Sequence, residues 1–487
     1  MFPRFSKRLR AFPKLALLIN RNYTLLWLGG MISLIGDILF TMMLILWVGT
    51  LLHNQSAAPL AVSGVVLAAA LPALLIGPFA GVFVDRWPKQ RKMRLMDALR
   101  AVLVCSLLPI SFPLPLPLAV RLTIIYLVVA AVSGLSQFFT PATKAILKEV
   151  VPQEQLTRAS ALTVGSGVFS WGIGSACAGI CYVSLGIGWA IALNAASFAC
   201  SWALIAHMRV SAAERVASAY PTSLRRVLTE LREGLRFIQG QLQLRTLLLT
   251  ESLFSFGWGI VSVLAFFYIT QNIHVPMSLF GLFSAVPAIG GILGTLLVDR
   301  AAAKVGATRV YARALLFAGV MVVVSTVPNQ AIIDLVGFTL IGTATMQAEV
   351  LVGPLVLFAT PEQMVGRVFS TLGTVTALSS FLATFLSGYV SSTLLQGVVV
   401  HLPTGELNAT NLLHIGAGIL IFVGDCMPLA SSENFNSVTT WARKRATTQA
   451  HCEAYLGSST RLVIKKRTIS AWELRRMPRV TANASCG

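Results

Sequence analysis

From Ala61 to Val84, and again from Leu122 to Phe139, the chain carries no charged side chain. Uninterrupted apolar runs of roughly 18 residues or more mark helices that cross a bilayer. Only a helix or a closed barrel can do so, because no water is there to satisfy the backbone. Similar runs recur up to about residue 430. Charged residues make up only 11% of the chain and hydrophobic ones 55%. A soluble domain carries about 25% charged residues, so this chain cannot cover a water-facing surface. The pattern predicts an all-α, multi-pass membrane protein.

Spans are expected at 22–52, 60–84, 94–112, 119–139, 160–183, 187–207, 246–271, 277–298, 308–327, 331–358, 368–399 and 412–430. The connecting segments alternate in charge. Arg4, Lys7, Arg8, Arg10, Lys14 and Arg21 precede the first span, and Arg86, Lys89, Arg91 and Lys92 follow the second. Lys144, Lys148 and Arg158 follow the fourth, and Arg209, Arg215, Arg225, Arg226, Arg232 and Arg236 the sixth. Arg300 and Lys304 follow the eighth, and Arg367 the tenth. The intervening loops are almost bare. Basic loops stay in the cytoplasm, so both termini and all even loops are placed there, and twelve spans is the count that keeps the alternation. The net charge of +20 is thereby read as membrane topology, and a nucleic-acid partner is rejected.

The chain divides into a cytoplasmic lead-in (1–21), two six-helix bundles (22–207 and 246–430), a central loop (208–245) and a basic tail (431–487). The lead-in lacks the small-residue cleavage site of a signal peptide. In the central loop, "SLRRVLTELREGLRFI" spaces its apolar residues three to four apart, as an amphipathic helix on the membrane surface does. None of the seven cysteines (Cys105, Cys177, Cys181, Cys200, Cys426, Cys452, Cys486) forms a CxxC pair. They read as packing residues, and neither a metal nor a cofactor is expected.

Two echoes reveal a duplication. "GVFVDR" ending at Arg86 and "GTLLVDR" ending at Arg300 superpose at a shift of 214, with Gly77 on Gly291 and Asp85 on Asp299. "VPQEQLTRASAL" and "TPEQMVGRVFST" superpose at a shift of 209, bringing Arg158 onto Arg367. The first echo follows the second span of each half and the second follows the fourth. The six-helix unit is therefore repeated in parallel, a plan found in transporters whose halves rock about a central site. Gly77, Gly81, Asp85, Arg86, Asp299, Arg300, Arg158 and Arg367 are the candidate gating residues. Arg91 and Lys92 fall in the same loop and are candidates too, but for them, as for Lys89, simple positive-inside anchoring is the favoured reading.

At this point the chain resembles the major facilitator superfamily, in the drug-efflux branch that holds macrolide efflux proteins and enterobactin exporters. The resemblance rests on "LWLGGMISLIGD", "LPALLIGPFAGVFVDRWPKQRKM", "FFTPATKAILKEVVPQEQLTRASAL" and "GRVFST", and spans about residues 20–425. Gly81, Asp85, Arg86, Arg91 and Lys92 resemble the signature loop of that family. The likeness implies a monomeric carrier of two six-helix bundles. One departure stands out: in "GSACAG", Ser175 replaces the proline that exporters often carry, while Gly174 and Gly179 remain as helix-packing residues.

Asp37 lies about halfway through the first span. A carboxylate at that depth costs about 2.5–3.5 kcal/mol on insertion scales, so it must face a cavity or a partner. It is the first candidate for proton coupling, with a structural hydrogen bond as the alternative. Glu349 in the tenth span is next. Glu251 is a third candidate, with Arg245 as an interfacial partner, and Asp334 is expected at a solvated helix end. No intramembrane Lys or Arg pairs evidently with these acids, which favours cationic or neutral cargo. Trp27, Trp47, Trp171 and Trp258 are read as packing.

The chain has no phosphate-binding P-loop and no nucleophile–base constellation, so neither ATP-driven transport nor enzymatic chemistry is expected. The leading reading is a proton-driven exporter of small amphiphilic compounds in the inner membrane. The alternatives are a siderophore or lipid exporter, or a degenerate membrane protein that no longer transports. The last alternative draws on the final span, whose uncharged apolar stretch runs only from Ile415 to Gly424. The tail beyond it holds ten Lys or Arg against three Glu, either a product of a frame change or a segment that binds anionic lipid.

Overall fold

The computed structural model describes residues 18–52, 55–84, 89–112, 115–209, 224–328, 330–402 and 405–430. The basic tail, the lead-in before residue 18, and Asp85 and Arg86 lie outside the described residues. Side chains are likewise outside the description at 78–84, a range that includes Gly81, and at 148, 157, 161, 224–227, 402, 405–406 and 425–430.

The described residues form thirteen α-helices. The first half holds α1 (Arg21–Leu51), α2 (Ala58–Val84), α3 (Lys89–Cys105), α4 (Leu118–Val150), α5 (Leu156–Leu185) and α6 (Ile187–Ala206). A connecting helix, α7 (Leu224–Gly240), follows. The second half holds α8 (Leu242–Phe267), α9 (Met277–Val305), α10 (Ala307–Thr326), α11 (Ala331–Ala359), α12 (Val365–Ser392) and α13 (Ala409–Ala430). Ten of these are long and apolar enough to cross a membrane, and the apolar part of α13, Ala409–Gly424, is shorter.

Local chemistry sets the boundaries. The Asn20 side chain accepts from the Tyr23 backbone N–H at 2.8 Å and starts α1, as Asn does at an N-cap. Asn408 does the same for α13, accepting from the N–H groups of Thr410 and Asn411 at 3.0 and 3.2 Å. Gly186 and Gly306 join α5 to α6 and α9 to α10 at φ values of 78° and 90°, a left-handed conformation that favours glycine.

Three elements differ from the expectation drawn from apolar windows. The third helix begins at Lys89 and ends at Cys105, so its charged first turns belong to it and a 3₁₀ turn, Pro109–Ser111, follows. Helix α12 stops at Ser392, and a β-hairpin of β1 (Val399–Leu402) and β2 (Gly405–Asn408) occupies the connection to α13. Helix α8 ends in a π-helical turn, Tyr268–Asn272. A turn of this kind is rare and inserts a residue into the helical ladder.

Helix packing repeats between the halves. In the first, α2 packs on α4, α1 on α5 and α6, and α3 on α4 and α6. In the second, α9 packs on α11, α8 on α12 and α13, and α10 on α11 and α13. Each contact in one list has its counterpart in the other, seven helices on. The halves meet through α5 against α9 and α2 against α12, again a symmetric pair.

Candidate functional site

The ends of the bundle are unequal. At the end away from the basic loops, one apolar cluster runs through both halves. It takes Phe40, Leu44 and Trp47 from α1, Val62 from α2, Phe266 from α8 and Phe280 from α9. At the basic end the buried apolar residues fall into separate groups. Leu26, Met93 and Ile146 belong to one in the first half, and Leu248, Leu315 and Leu372 to one in the second. Among the described residues, the far end is thus a fused core and the basic end is not.

The seams at the far end are built for close approach. A Cβ on Gly281 of α9 would stand 2.1 Å from the Ser175 carbonyl oxygen of α5, and one on Gly179 would stand 2.6 Å from the Met277 carbonyl. Ser175, which replaces the expected proline, therefore lies in the seam. Gly174 instead faces α1, against Ile35 and Ile38. Across the other seam, a Cβ on Gly388 of α12 would meet the Ser63 hydroxyl of α2 at 2.1 Å.

Inside the first half lies a polar cluster, buried except at the half-buried Asp37. Asp37, at the middle of α1, accepts a hydrogen bond from the Asn194 amide of α6 at 3.3 Å. Ser197, one turn along α6, hydrogen-bonds to Asn194, and Ser201, a further turn on, donates to Asp97 at 2.7 Å. Asp97 is fully buried and pairs with Arg100, itself 3% exposed. The Arg100 guanidinium also reaches Ser136 of α4 at 3.3 Å and lies 4.5 Å from the ring centres of Phe139 and Phe198. The charges of Arg100 and Asp97 both act on Asp37. Three helices thus bring two carboxyl groups and one cation together, joined by the Asn194–Ser197–Ser201 stripe.

The expectation that no intramembrane cation accompanies the acids is corrected here. Arg100 stands inside the bundle, held by Asp97. The window placed on the third span contained both residues, and their i, i+3 spacing on one helix face was the available signal.

The second half carries a smaller cluster. Glu251 of α8 is 9% exposed and accepts from the Tyr311 hydroxyl of α10 at 2.7 Å. Thr250 shares that hydroxyl at 2.8 Å. Tyr311, not Arg245, is the partner of Glu251, and Arg245 is exposed. Glu349 of α11 is exposed, and its charge acts on Glu251. Among the described residues no group of three or more His, Cys, Asp or Glu could hold a metal ion.

The remaining candidates scatter. Gly77 faces Gln137 of α4 at ordinary van der Waals distance. Arg91, Asp299, Arg300 and Arg158 are exposed, whereas Lys92 is buried at 7% exposure and so departs from the surface anchor expected of it. Arg367 forms an exposed ion pair with Glu233 of α7 at 2.9 Å. Asp334 is a further correction. It was expected at a solvated helix end and is instead fully buried, accepting from the Tyr268 hydroxyl at 2.7 Å. Of the tryptophans, Trp27 donates to the Leu162 carbonyl at 3.2 Å, Trp258 stacks on Phe254, Trp47 is buried and Trp171 is half exposed.

Comparison with known proteins agrees with this architecture. An uncharacterized MFS-type transporter of Bacillus subtilis, YfiS, is 27% identical over 362 residues, 72% of this chain and 82% of its own length. Macrolide efflux protein A of Streptococcus pyogenes is 27% identical over 243 residues, half of this chain and 57% of that protein. The multidrug efflux pump Tap of Mycolicibacterium fortuitum is 30% identical over 252 residues, 50% of this chain and 59% of that protein. Among solved structures, a bacterial homologue of the lysosomal transporter Spinster superposes with a TM-score of 0.65 at 14% identity, over 86% of this chain and 98% of that one. The nucleoside transporter NupG gives the same score at 10% identity, over 84% of this chain and 99% of that one. Residues 11–384 match the Major Facilitator Superfamily, and with its repeated six-helix packing this chain belongs to that family of membrane transporters.

Proposed function

We propose that this transporter exports small amphiphilic compounds across the cytoplasmic membrane in exchange for protons, by alternating access between its two halves. The observation that carries the reading is the charge count in the first half. Asp37, Asp97 and Arg100 sum to one negative charge when all are ionised, in a setting where an unbalanced charge is costly. One proton on Asp37, or one cationic group of a cargo beside it, neutralises the cluster. A site that accepts either, and not both, is what an antiporter of protons and cations needs.

Glu251 and Glu349 form the second place where a proton or a cationic cargo is accepted. The fused far end and separate basic-end cores support a state open toward the basic side. The positive-inside bias assigns that side to the cytoplasm, with both termini there. In this reading the cargo enters between the halves from the cytoplasm. The efflux activity named for two of the relatives supports the outward direction.

The test is growth of a pump-deficient bacterial host expressing this chain, challenged with macrolides, dyes and other amphiphiles. Wild type is compared with Asp37→Asn at matched membrane levels. Protection by wild type that Asp37→Asn loses is the expected result. Protection retained by the variant would remove Asp37 from the coupling step. No protection by well-inserted wild type would overturn export of this cargo class.

A further inference from the structure

Asp334 stands at the far-end start of α11, well away from the acids invoked for transport. It is fully buried, and one of its oxygens, Oδ2, has no hydrogen-bond partner. The other, Oδ1, meets the Tyr268 hydroxyl at 2.7 Å. Tyr268 is 1% exposed and sits at the first residue of the π-helical turn that ends α8. Its ring stacks on that of His414 from α13 at 4.7 Å, and His414 Nδ1 lies 2.9 Å from the Thr410 carbonyl. The titratable group that meets Asp334 is Tyr268 from α8, and His414 from α13 stacks on the Tyr268 ring. Helix α10 offers Ser325 and Thr326, and the far-end half of α9, Met277 to Gly291, has no charged residue.

Counting protons identifies the state of this group. The Tyr268 hydroxyl owns one hydrogen, yet two oxygens lie within its reach, Asp334 Oδ1 at 2.7 Å and the Ser325 carbonyl at 3.3 Å. An ionised Asp334 takes that hydrogen, leaves the Ser325 contact unmade, and places a full charge in the bundle with one donor. A protonated Asp334 donates from Oδ1 to the Tyr268 oxygen, and Tyr268 then donates to Ser325. Both Tyr268 contacts are satisfied and no charge is buried, while Oδ2 is left as it is in the ionised form, which favours this arrangement in a medium where ionised groups are expensive.

The position gives the proton a consequence. Tyr268 belongs to the apolar cluster that fuses the two halves at the far end. Separating the halves there exposes the end of α8 and lets water reach Asp334, which can then ionise. We infer that Asp334, Tyr268 and His414 form a proton-binding latch, with a proton on Asp334 holding the far end closed.

The sign follows from linkage. The closed state binds one proton more than the open state, so lowering the pH favours closure, by up to about tenfold in the closed-to-open ratio per pH unit. If the export reading above is right, a proton taken from outside at this latch closes the outer end behind it. The latch itself needs no assumption about cargo.

The experiment reads conformation and not transport, so its failure is separable from a failure of export. Spin labels are placed at Ala57→Cys and Thr393→Cys, both exposed at the far end, in a chain otherwise cleared of cysteine and held in lipid nanodiscs. The population at short inter-label distance is measured against pH. Wild type should shift toward the short distance as pH falls, and Asp334→Asn should stay short throughout. A wild-type pH response in Asp334→Asn, or no response in wild type, overturns the proposal. Should Asp334→Asn fail to fold, infrared spectra decide. The closed protein should show a neutral carboxylic acid band that moves in Tyr268→Phe, and a band unmoved by that change overturns it equally.

Discussion

The backbone N–H of Leu60 in α2 donates to the Ser392 hydroxyl in α12 at 3.1 Å, joining the two halves across 332 positions of the chain. Its symmetric counterpart is the seam between α5 and α9. There the contact is backbone against backbone, with Gly281 set against the Ser175 carbonyl and the Gly179 N–H. The two seams therefore differ in what they can absorb.

Gly281→Ala should open the far end far more than Gly388→Ala. At Gly281 the added methyl meets main-chain atoms that cannot rotate away. At Gly388 it meets the Ser63 hydroxyl, which can turn, and the Ser63 Cβ at 2.7 Å, with main-chain atoms no nearer than 3.2 Å. Overpacking of a tight contact costs about 1–3 kcal/mol, which shifts an equilibrium by roughly 5- to 150-fold. Distances between labels at Ala57→Cys and Thr393→Cys should lengthen in Gly281→Ala and change little in Gly388→Ala. Equal effects would show that the two seams are mechanically alike.

The Asp97–Arg100 pair makes a prediction about stability. Removing one partner from a buried ion pair leaves an uncompensated charge and destabilises by about 3–5 kcal/mol, whereas removing both together is far milder. Arg100→Gln and Asp97→Asn should each lower the melting temperature in detergent more than the double change does. Arg100→Lys should lower it too, because an ammonium loses the planar fork that reaches Asp97 and Ser136 and stacks between two phenylalanines. Additive losses in the double variant would show that the pair does not act as a unit.

How far all this was legible in the sequence depends on the length scale of the signal. The duplication was readable because Asp85–Arg86 and Asp299–Arg300 recur at a fixed offset, and the symmetric helix packing follows from that repeat. Asp37 was readable because a lone carboxylate in an apolar run is conspicuous. Asp97 and Arg100 were not, although the window on the third span contains both, since they follow directly on four basic residues, Lys89, Arg91, Lys92 and Arg94, and do not stand out as lone charges. Asp334 was misplaced for a related reason. Position near a helix end says nothing about depth when Tyr268, 66 residues away, closes over it. The hairpin after α12 was hidden because β-branched residues at 398–400 extend an apolar window as well as a helix does.

Tyr311→Phe isolates the second-half cluster. It removes the hydroxyl that Glu251 accepts from and Thr250 shares, with almost no change in shape. Hydrogen bonds of this kind in membrane proteins contribute about 0.6 kcal/mol on average and up to about 1.7, so the loss in stability should be modest. Export should respond more, because Glu251 then has no neutral donor to steady its ionised form. A stability loss above that range with unchanged export would make the cluster purely structural.

Helix α7 separates charge from packing at the connection between the halves. Its Glu233 and Arg367 of α12 are each more than 40% exposed, and an exposed ion pair contributes about 0–1 kcal/mol. Beside them, a Cβ on Gly234 would stand 2.2 Å from the Thr371 hydroxyl and 2.8 Å from the Arg367 carbonyl. Thr371 also reaches the Leu231 carbonyl at 3.4 Å. The helix is therefore held by a close backbone approach, and the salt bridge adds little. Arg367→Gln should leave limited proteolysis of the connecting segment nearly unchanged, in low and high salt alike. Gly234→Leu should lift α7 from α12 and speed cleavage between residues 207 and 242 several-fold. The reverse ranking, with strong salt dependence, would mean that the arginine holds the helix and that its counterpart Arg158 is the next residue to change.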